Sequence, residues 1–355
     1  MALTQLSLTD FRNYATAHIC PTANFIVLHG ENGAGKTNIL EAVSLLVPGR
    51  GLRRAALQEM SRKDGENGFA VSACLGDIIL GTGTEQGALD RRKVRINGAS
   101  SSINALAEWL AVIWLTPAMD RLFADSAGVR RRFLDRLVLA LYPSHAKHSS
   151  RYEKAVQGRN RLLQSGERLD LQWMDAIESE MAQDAARINA GRNYTLAQLS
   201  EKLASAPTGP FAVPTLQLAM PACEDVGQLQ QEWRRARSRD AAAKRTLLGP
   251  HRTDLIVHHA GNGQAAASCS TGEQKALLLS VVLAHATLVT EQRGGPPIIL
   301  LDEVAAHIDP VRRRALFEKL AQTGCQVWMT GTELGLFRDL EGQAHFIEVD
   351  GGTLL

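Results

Sequence analysis

The string Gly30-Glu31-Asn32-Gly33-Ala34-Gly35-Lys36-Thr37 constrains this chain more than any other feature. It has the form GxxxxGKT. The apolar run Phe25-Ile26-Val27-Leu28 precedes it, and Ile39, Leu40, Ala42, Val43 and Leu46 follow at helical spacing. Strand, glycine-rich loop, helix is the context in which such a string cradles phosphate. The glycines let backbone N–H groups converge on a β-phosphate, and the helix start adds positive dipole. Lys36 is suited to reach the β- and γ-phosphates, and Thr37 to offer a hydroxyl to Mg²⁺. The competing reading, an ordinary glycine-rich turn, does not account for the apolar flanks. Nucleotide binding with ATP and Mg²⁺ is therefore the first expectation.

A chain of 355 residues, 45% hydrophobic, is long enough for two domains with a sizeable core. The net charge of +2 says little about partners; its distribution says more. Cys20, Cys74, Cys223, Cys269 and Cys325 are scattered and show no metal-ligand spacing, which fits reduced thiols in a cytoplasmic protein. Residues 1–8 lack the basic start and apolar core of a signal peptide. The longest apolar stretch, Leu277 to Val289, is interrupted by Ser280, His285 and Thr287 and is too short to span a bilayer.

The first 30 residues read as β, with Leu6, Leu8, Ala17 and Ile19 alternating around a polar turn at Asp10 to Tyr14. More strands follow over 70–97, ending at Asn97-Gly98, and a buried strand, Val112 to Leu115, ends at Thr116-Pro117. From Arg130 to Leu203 the pattern is helical, with breaks at Tyr142-Pro143 and Ser165-Gly166, and it closes at Ala206-Pro207-Thr208-Gly209-Pro210. Pro214 and Pro221 keep the next part irregular or extended, and a basic helix runs from about Val226 to Arg245. Then β/α character returns: a strand at Leu255 and Val257, helix 272–290, strand 298–301, helix 310–322, and strands 326–330 and 345–349. The expected fold is α/β: a phosphate-loop ATPase head built from 1–124 and 246–355, with a mainly helical domain, 125–245, inserted.

Ile298 to Leu301 is an apolar strand that ends in Asp302-Glu303. Buried strands do not tolerate charge, so the carboxylates belong just past its C-terminal edge, where ligands bind in open α/β sheets. There Asp302 is suited to hold Mg²⁺ through water beside Thr37, and Glu303 to polarise an attacking water. Ser270-Thr271-Gly272-Glu273-Gln274 precedes a strong helix. It is at least an N-cap. It also occupies the place of the signature in ABC-type head ATPases, which binds the γ-phosphate held by the opposite subunit, a job suited to a helix N-terminus with a serine. Ala305 to Pro310 resembles their D-loop, and Asp309 is also a helix cap before Pro310. Val327 to Thr332 carries no switch histidine, leaving Thr330 or Thr332 for the polar contact.

Basic residues gather in the insertion: Arg130, Arg131, Arg132 and Arg136, then Arg151, Lys154, Arg159 and Arg161, then Arg234, Arg235, Arg237, Arg239, Lys244 and Arg245. Guanidinium groups match phosphate geometry, so these patches suggest DNA, with Arg234, Arg235, Arg237 and Arg239 as the candidate contacts. A solvated helix face is the plainer alternative, and Arg130 to Arg132 can equally face a nucleotide or a subunit interface. Tyr142, Tyr152 and Trp173 read as core residues, and His145 and His148 as surface residues without a metal partner.

Together these strings resemble the RecF family, bacterial recombination-mediator ATPases related to structural-maintenance-of-chromosomes (SMC) heads. The likeness spans essentially the whole chain. It rests on Leu8 to Tyr14, the phosphate loop, Thr116-Pro117, Gly128-Val129-Arg130-Arg131-Arg132-Phe133-Leu134-Asp135, Leu248-Gly249-Pro250-His251-Arg252-Thr253-Asp254-Leu255, Ser270 to Lys275 and Leu301-Asp302-Glu303. The resemblance implies ATP-dependent homodimerisation, slow ATP hydrolysis and binding of duplex or gapped DNA. It also implies work with RecO and RecR to load RecA during repair and replication, and it places Arg12 and Asn13 near the nucleotide. The chain departs from the pattern at Ala118-Met119, where an acid commonly follows the proline. It shows no Q-loop glutamine, and His307-Ile308-Asp309 lacks the usual Ser-Glu. The runner-up is a transporter nucleotide-binding subunit; the wide spacing of Lys36 and Asp302, the basic insertion and the missing histidine argue against it.

Overall fold

The structure, a computed structural model, describes the whole chain except residues 1, 66–67, 165–169, 206–208 and 221 and the side chain of His307. The break expected at Ser165-Gly166, most of the Ala206-to-Pro210 segment and Pro221 lie outside the described residues. The chain forms two compact units. One comprises Met1–Asp120, Pro207–Phe211 and Leu278–Leu355; the other comprises Arg121–Ala206 and Ala212–Leu277. Residues 246–277, assigned to the head by sequence, group with the helical unit.

The first unit is α/β and uses both chain ends. One sheet is antiparallel, in the order Tyr14–Ile19, Gln5–Phe11, Phe69–Leu75, Ile78–Glu85, Ala88–Ile96, Ala99–Ser101. Its register pairs Leu6 with Ile19 and Leu8 with Ala17, so the alternating residues face one core. Asn97 and Gly98 take φ values of 49° and 80°, the left-handed pair that a two-residue hairpin needs.

The second sheet runs Thr353–Leu354, Ala344–Asp350, Phe25–His29, Gln326–Gly331, Ile298–Leu301, Val112–Leu115. Every pairing is parallel except the terminal hairpin. Such strands are covered on both faces, which explains the unbroken apolar run Ile298–Leu301, buried at all four positions. The parallel arrangement puts the C-terminal ends of Phe25–His29, Ile298–Leu301 and Gln326–Gly331 along one edge, the edge that carries the site. Arg92, from the antiparallel sheet, is half-buried among backbone and hydroxyl acceptors. It donates to the carbonyls of Leu45 and Gly49 just past the end of the helix Lys36–Ser44, and to the Thr82 hydroxyl. A cation at a helix C-terminus suits the dipole, while burial lowers the Arg92 pKa to about 10.

The second unit holds the helices Ala127–Leu141, His145–Gln164, Leu171–Ala204 and Val226–Ala243 and the ribbon Pro214–Leu218 with Leu255–His259. Asp170 and Asp225 cap their helices through side-chain bonds to backbone N–H groups. Tyr152, Met181, Ala185, Leu229 and Trp233 form its core. Burial corrects three sequence expectations. Trp173 is 59% exposed, not core. His145 is buried and bonds Asp135, because the two polar groups satisfy one another inside the helix bundle. Arg159 is fully buried rather than part of a basic surface: it bonds Glu178, Asp240, Thr246 and the Trp233 carbonyl, the saturation a buried guanidinium needs.

Candidate nucleotide site

Gly30, Gly33 and Gly35 adopt φ values of 143°, 87° and 119°. A β-carbon on Gly30 would lie 2.2 Å from the Val349 carbonyl oxygen, and one on Gly35 would meet Asn13 at 2.5 Å and Tyr14 at 2.8 Å. Neither position admits a side chain, so the loop is glycine by necessity. The helix Lys36–Ser44 starts directly after it. The Lys36 ammonium donates to the carbonyls of Gly30 and Glu31, both at 2.7 Å, which holds it across the loop. Burial lowers the Lys36 pKa, and the charges of Glu303 and Asp302 work against that shift.

The carboxylate strand meets the loop. Thr37 donates its hydroxyl to Asp302 at 2.8 Å across 265 residues of sequence. Thr330 donates to the same carboxylate oxygen at 2.9 Å, and its own oxygen accepts the Glu303 N–H at 2.9 Å. Glu303 stands at φ 52°, a left-handed conformation uncommon outside glycine, which turns its side chain out of the strand line. Thr37 at the start of the loop helix, Asp302, Thr330 and the Glu303 N–H thus form one bonded cluster, while the Lys36 ammonium is held by the loop carbonyls and feels the charges of both carboxylates. The Thr37 hydroxyl and the Asp302 carboxylate are hard oxygen donors of the kind Mg²⁺ accepts, so the donor set fits that ion.

The turn between the first two strands is bolted to the same loop. Asn13 donates to the Ala34 carbonyl at 2.9 Å and accepts from Asn38 at 2.7 Å; Tyr14 donates to the Gly35 carbonyl at 3.1 Å. Arg12 makes a two-pronged bond to Glu41, 2.7 Å at each oxygen, and also reaches the Glu59 carbonyl. Glu41, fully buried and shared with Arg53, was not singled out from sequence. Its only sequence signal is an acid on the otherwise apolar face of a helix.

In the second unit Ser270, Thr271 and Gly272 are exposed at the start of the helix Thr271–Arg293, and a β-carbon on Gly272 would meet nothing within 4 Å. Ser270 and Glu273 form a reciprocal capping box: the serine N–H and hydroxyl both bond the carboxylate, and the Glu273 N–H returns to the hydroxyl. Asp309 accepts the Arg312 N–H, with Pro310 at the first helical position. Of the four arginines expected to contact DNA, Arg234, Arg235 and Arg239 are exposed and Arg237 is half-buried. Arg234 pairs with Asp175 at 3.0 Å, and Arg237 is committed to Asp175 and Glu178. Among the described residues no cluster of His, Cys, Asp and Glu could hold a metal ion by itself.

The chain matches the family described as "RecF/RecN/SMC N terminal domain" over residues 2–353. A protein of Mesorhizobium japonicum named DNA replication and repair protein RecF is 48% identical over 368 residues, covering 99% of this chain and 97% of that one. The chain belongs to the RecF family. A RecF of Brucella suis is 46% identical over 369 residues, covering 100% of this chain and 96% of its own. Among solved structures, RecF-ATP of the RecFOR pathway superposes with a TM-score of 0.83 at 21% identity, covering 100% of this chain and 98% of that one. An SMC head from Pyrococcus furiosus gives 0.56 at 15% identity, covering 99% and 94%. These likenesses establish an ATPase-head fold of the RecF and SMC kind. The runner-up, a transporter nucleotide-binding subunit, falls away: full-length identity to RecF proteins replaces it. Among the described residues no helix is long and apolar enough to cross a membrane.

Proposed function

We propose that this chain is an ATP-dependent DNA-binding protein of replication and recombinational repair, whose two copies close on ATP. The observation that carries the reading is the bond from Thr37 to Asp302, which joins the phosphate loop to the carboxylate strand, with Thr330 tying Asp302 to Glu303. Loop N–H groups and Lys36 take the phosphates. Thr37 and Asp302 would hold Mg²⁺, which when bound neutralises charge on the β- and γ-phosphates. Glu303 orients a water for attack and takes its proton on the carboxylate. Asn13 fixes the loop, and Arg12 acts through Glu41 on the helix behind it. Ser270 and Gly272, exposed at a helix N-terminus, meet the γ-phosphate bound by a second copy, and Asp309 lies at that interface. Hydrolysis is slow and ends the closed state. DNA lies along the helix Val226–Ala243, contacted by Arg235 and Arg239 with Arg234 at the edge. RecO, RecR and RecA are the partners that the family likeness supplies, and the compartment is the cytoplasm.

The test is binding of gapped and intact duplexes with and without ATP. Tighter binding of the gapped duplex with ATP supports the reading; binding indifferent to ATP contradicts it.

A further inference from the structure

Arg130 belongs to the arginine-rich string that the sequence offered to DNA, nucleotide or an interface, yet it is used inside the fold. Its Nε and one Nη donate to the two carboxylate oxygens of Asp254 at 2.8 and 2.6 Å. The other Nη donates to the carbonyls of Phe123, at 3.1 Å, and Asp125. Four of the five N–H donors of a guanidinium are thereby occupied. The Asp254 hydrogen bond raises the Arg130 pKa, with burial opposing it.

Both sets of partners lead to Ser270. Asp254 opens the strand Leu255–His259. The His259 N–H donates to the Gln264 carbonyl at 2.8 Å, turning the chain into the short helical turn Ala266–Ser268, and Gln264 reaches forward to the Ser268 carbonyl at 2.9 Å. The Cys269 N–H closes on Ala266, and the Gln274 side chain returns to the Cys269 carbonyl at 3.0 Å. On the other side, the turn Leu122–Ala124 packs against Ala266–Ser268. Arg130 therefore grips the strand that leads to the serine and the turn that supports it. Neighbouring arginines hold the same stretch: Arg131 donates to the Thr253 carbonyl and Arg192 to the Pro250 carbonyl, both at 2.8 Å. Two of the strings that carry the family resemblance, one rich in arginine and one reading Gly-Pro-His-Arg, thus bind each other.

We infer that Arg130 is a positioning residue for the helix N-terminus at Ser270 and Gly272, set there by its simultaneous hold on Asp254 and the 122–125 turn. The inference rests on the reading that these residues meet a second copy's γ-phosphate. A displacement of about 1 Å at such a contact costs roughly a hundredfold. DNA contact by Arg130 is disfavoured by the same geometry, because a phosphate would have to displace the Asp254 carboxylate.

The experiment uses the full chain with Arg130→Met and Asp254→Asn, and Ser270→Arg as comparator. The readouts are amide hydrogen exchange over 266–275, ATP affinity of the monomer, ATP-driven assembly by light scattering, and DNA binding. Arg130→Met should speed exchange over 266–275 by roughly ten- to a hundredfold. It should weaken assembly by roughly a hundredfold and leave monomer ATP affinity within about threefold. Asp254→Asn should do the same more mildly and stands in if the first variant does not fold. Normal exchange and normal assembly in these variants, with Ser270→Arg blocked, overturn the inference alone. Normal assembly by Ser270→Arg overturns the two-copy reading instead, and exchange over 266–275 then judges Arg130. Weakened DNA binding with unchanged exchange also overturns it.

Discussion

Thr330→Val removes one hydroxyl from the centre of the proposed site and keeps its shape. The residue is 1% exposed, and its hydroxyl donates to Asp302 and accepts from the Glu303 N–H. A hydrogen bond to a charged group contributes about 1.5–3 kcal/mol, and a buried donor left unpaired costs about 1–3 kcal/mol. Asp302 keeps its bond from Thr37, and Glu303 is only partly buried, so the low ends apply. The loss should be about 2.5 kcal/mol, or a melting shift of roughly 5–10 °C for a unit of this size. Glu303 is held in a left-handed conformation that costs about 1–3 kcal/mol, and without the tether it relaxes. A catalytic carboxylate moved by about 1 Å should hydrolyse ATP roughly a hundredfold more slowly. ATP affinity should hardly change, because the loop and Lys36 are untouched. Thr330→Ser keeps both bonds and should behave as wild type. Thermal melting, single-turnover hydrolysis and ATP titration of the two variants supply the assay. Wild-type hydrolysis by a destabilised Thr330→Val would refute the reasoning: the threonine would be a packing residue and Glu303 would not be the base.

Lys36→Met should abolish hydrolysis and severely weaken ATP-driven assembly; undiminished turnover in the purified variant removes the phosphate-loop assignment. Arg235→Ala with Arg239→Ala should weaken binding to all DNA sequences alike, and titration at several salt concentrations should show a log–log slope flatter by roughly one for each phosphate no longer neutralised. Replacing Arg234 and Arg237 instead should mainly lower the melting temperature, since Asp175 and Glu178 lose their partners. His251 is half-buried, donates from Nε2 to the Thr246 carbonyl and accepts from Tyr152, and its desolvation lowers its pKa below the ordinary value. The unfolded chain then takes up the proton first as pH falls through about 6.5, and stability should drop by up to about 1.4 kcal/mol per pH unit below that. A His251→Gln variant should lose that part of the slope in urea melts at pH 7 and pH 5.5; an unchanged slope removes His251 as the source.

The parallel-sheet half of the fold was legible because its strands are continuous apolar runs bounded by charge or glycine. Ile298–Leu301 has the expected ends, and the helix and strand after it shift by one residue at most. The phosphate loop was legible for a related reason: glycines required by left-handed backbone at 30, 33 and 35 leave a fixed spacing in the sequence. Three-dimensional pairing was not legible. Nothing local to Arg159 distinguishes it from Arg161, yet one is buried against Glu178 and Asp240 and the other lies on the surface. Trp173 was misjudged because aromatic side chains are usually buried, while a position near a helix start leaves this one outside. The arginine string near 130 leaves DNA, nucleotide and interface open, whereas Arg130 is committed to Asp254 inside the fold. Arg12 illustrates the same limit: the likeness puts it near the nucleotide, while its commitment to Glu41 on the loop helix comes only from the structure.

The most direct test of the account is the mass of Glu303→Gln by light scattering, with and without ATP. This substitution keeps the size of the side chain and removes the proton acceptor, so ATP should bind and persist. The account predicts one chain mass without nucleotide and twice that mass with ATP, reversed when Ser270→Arg is added. A single-chain mass in saturating ATP, with ATP binding verified in the same sample, contradicts it.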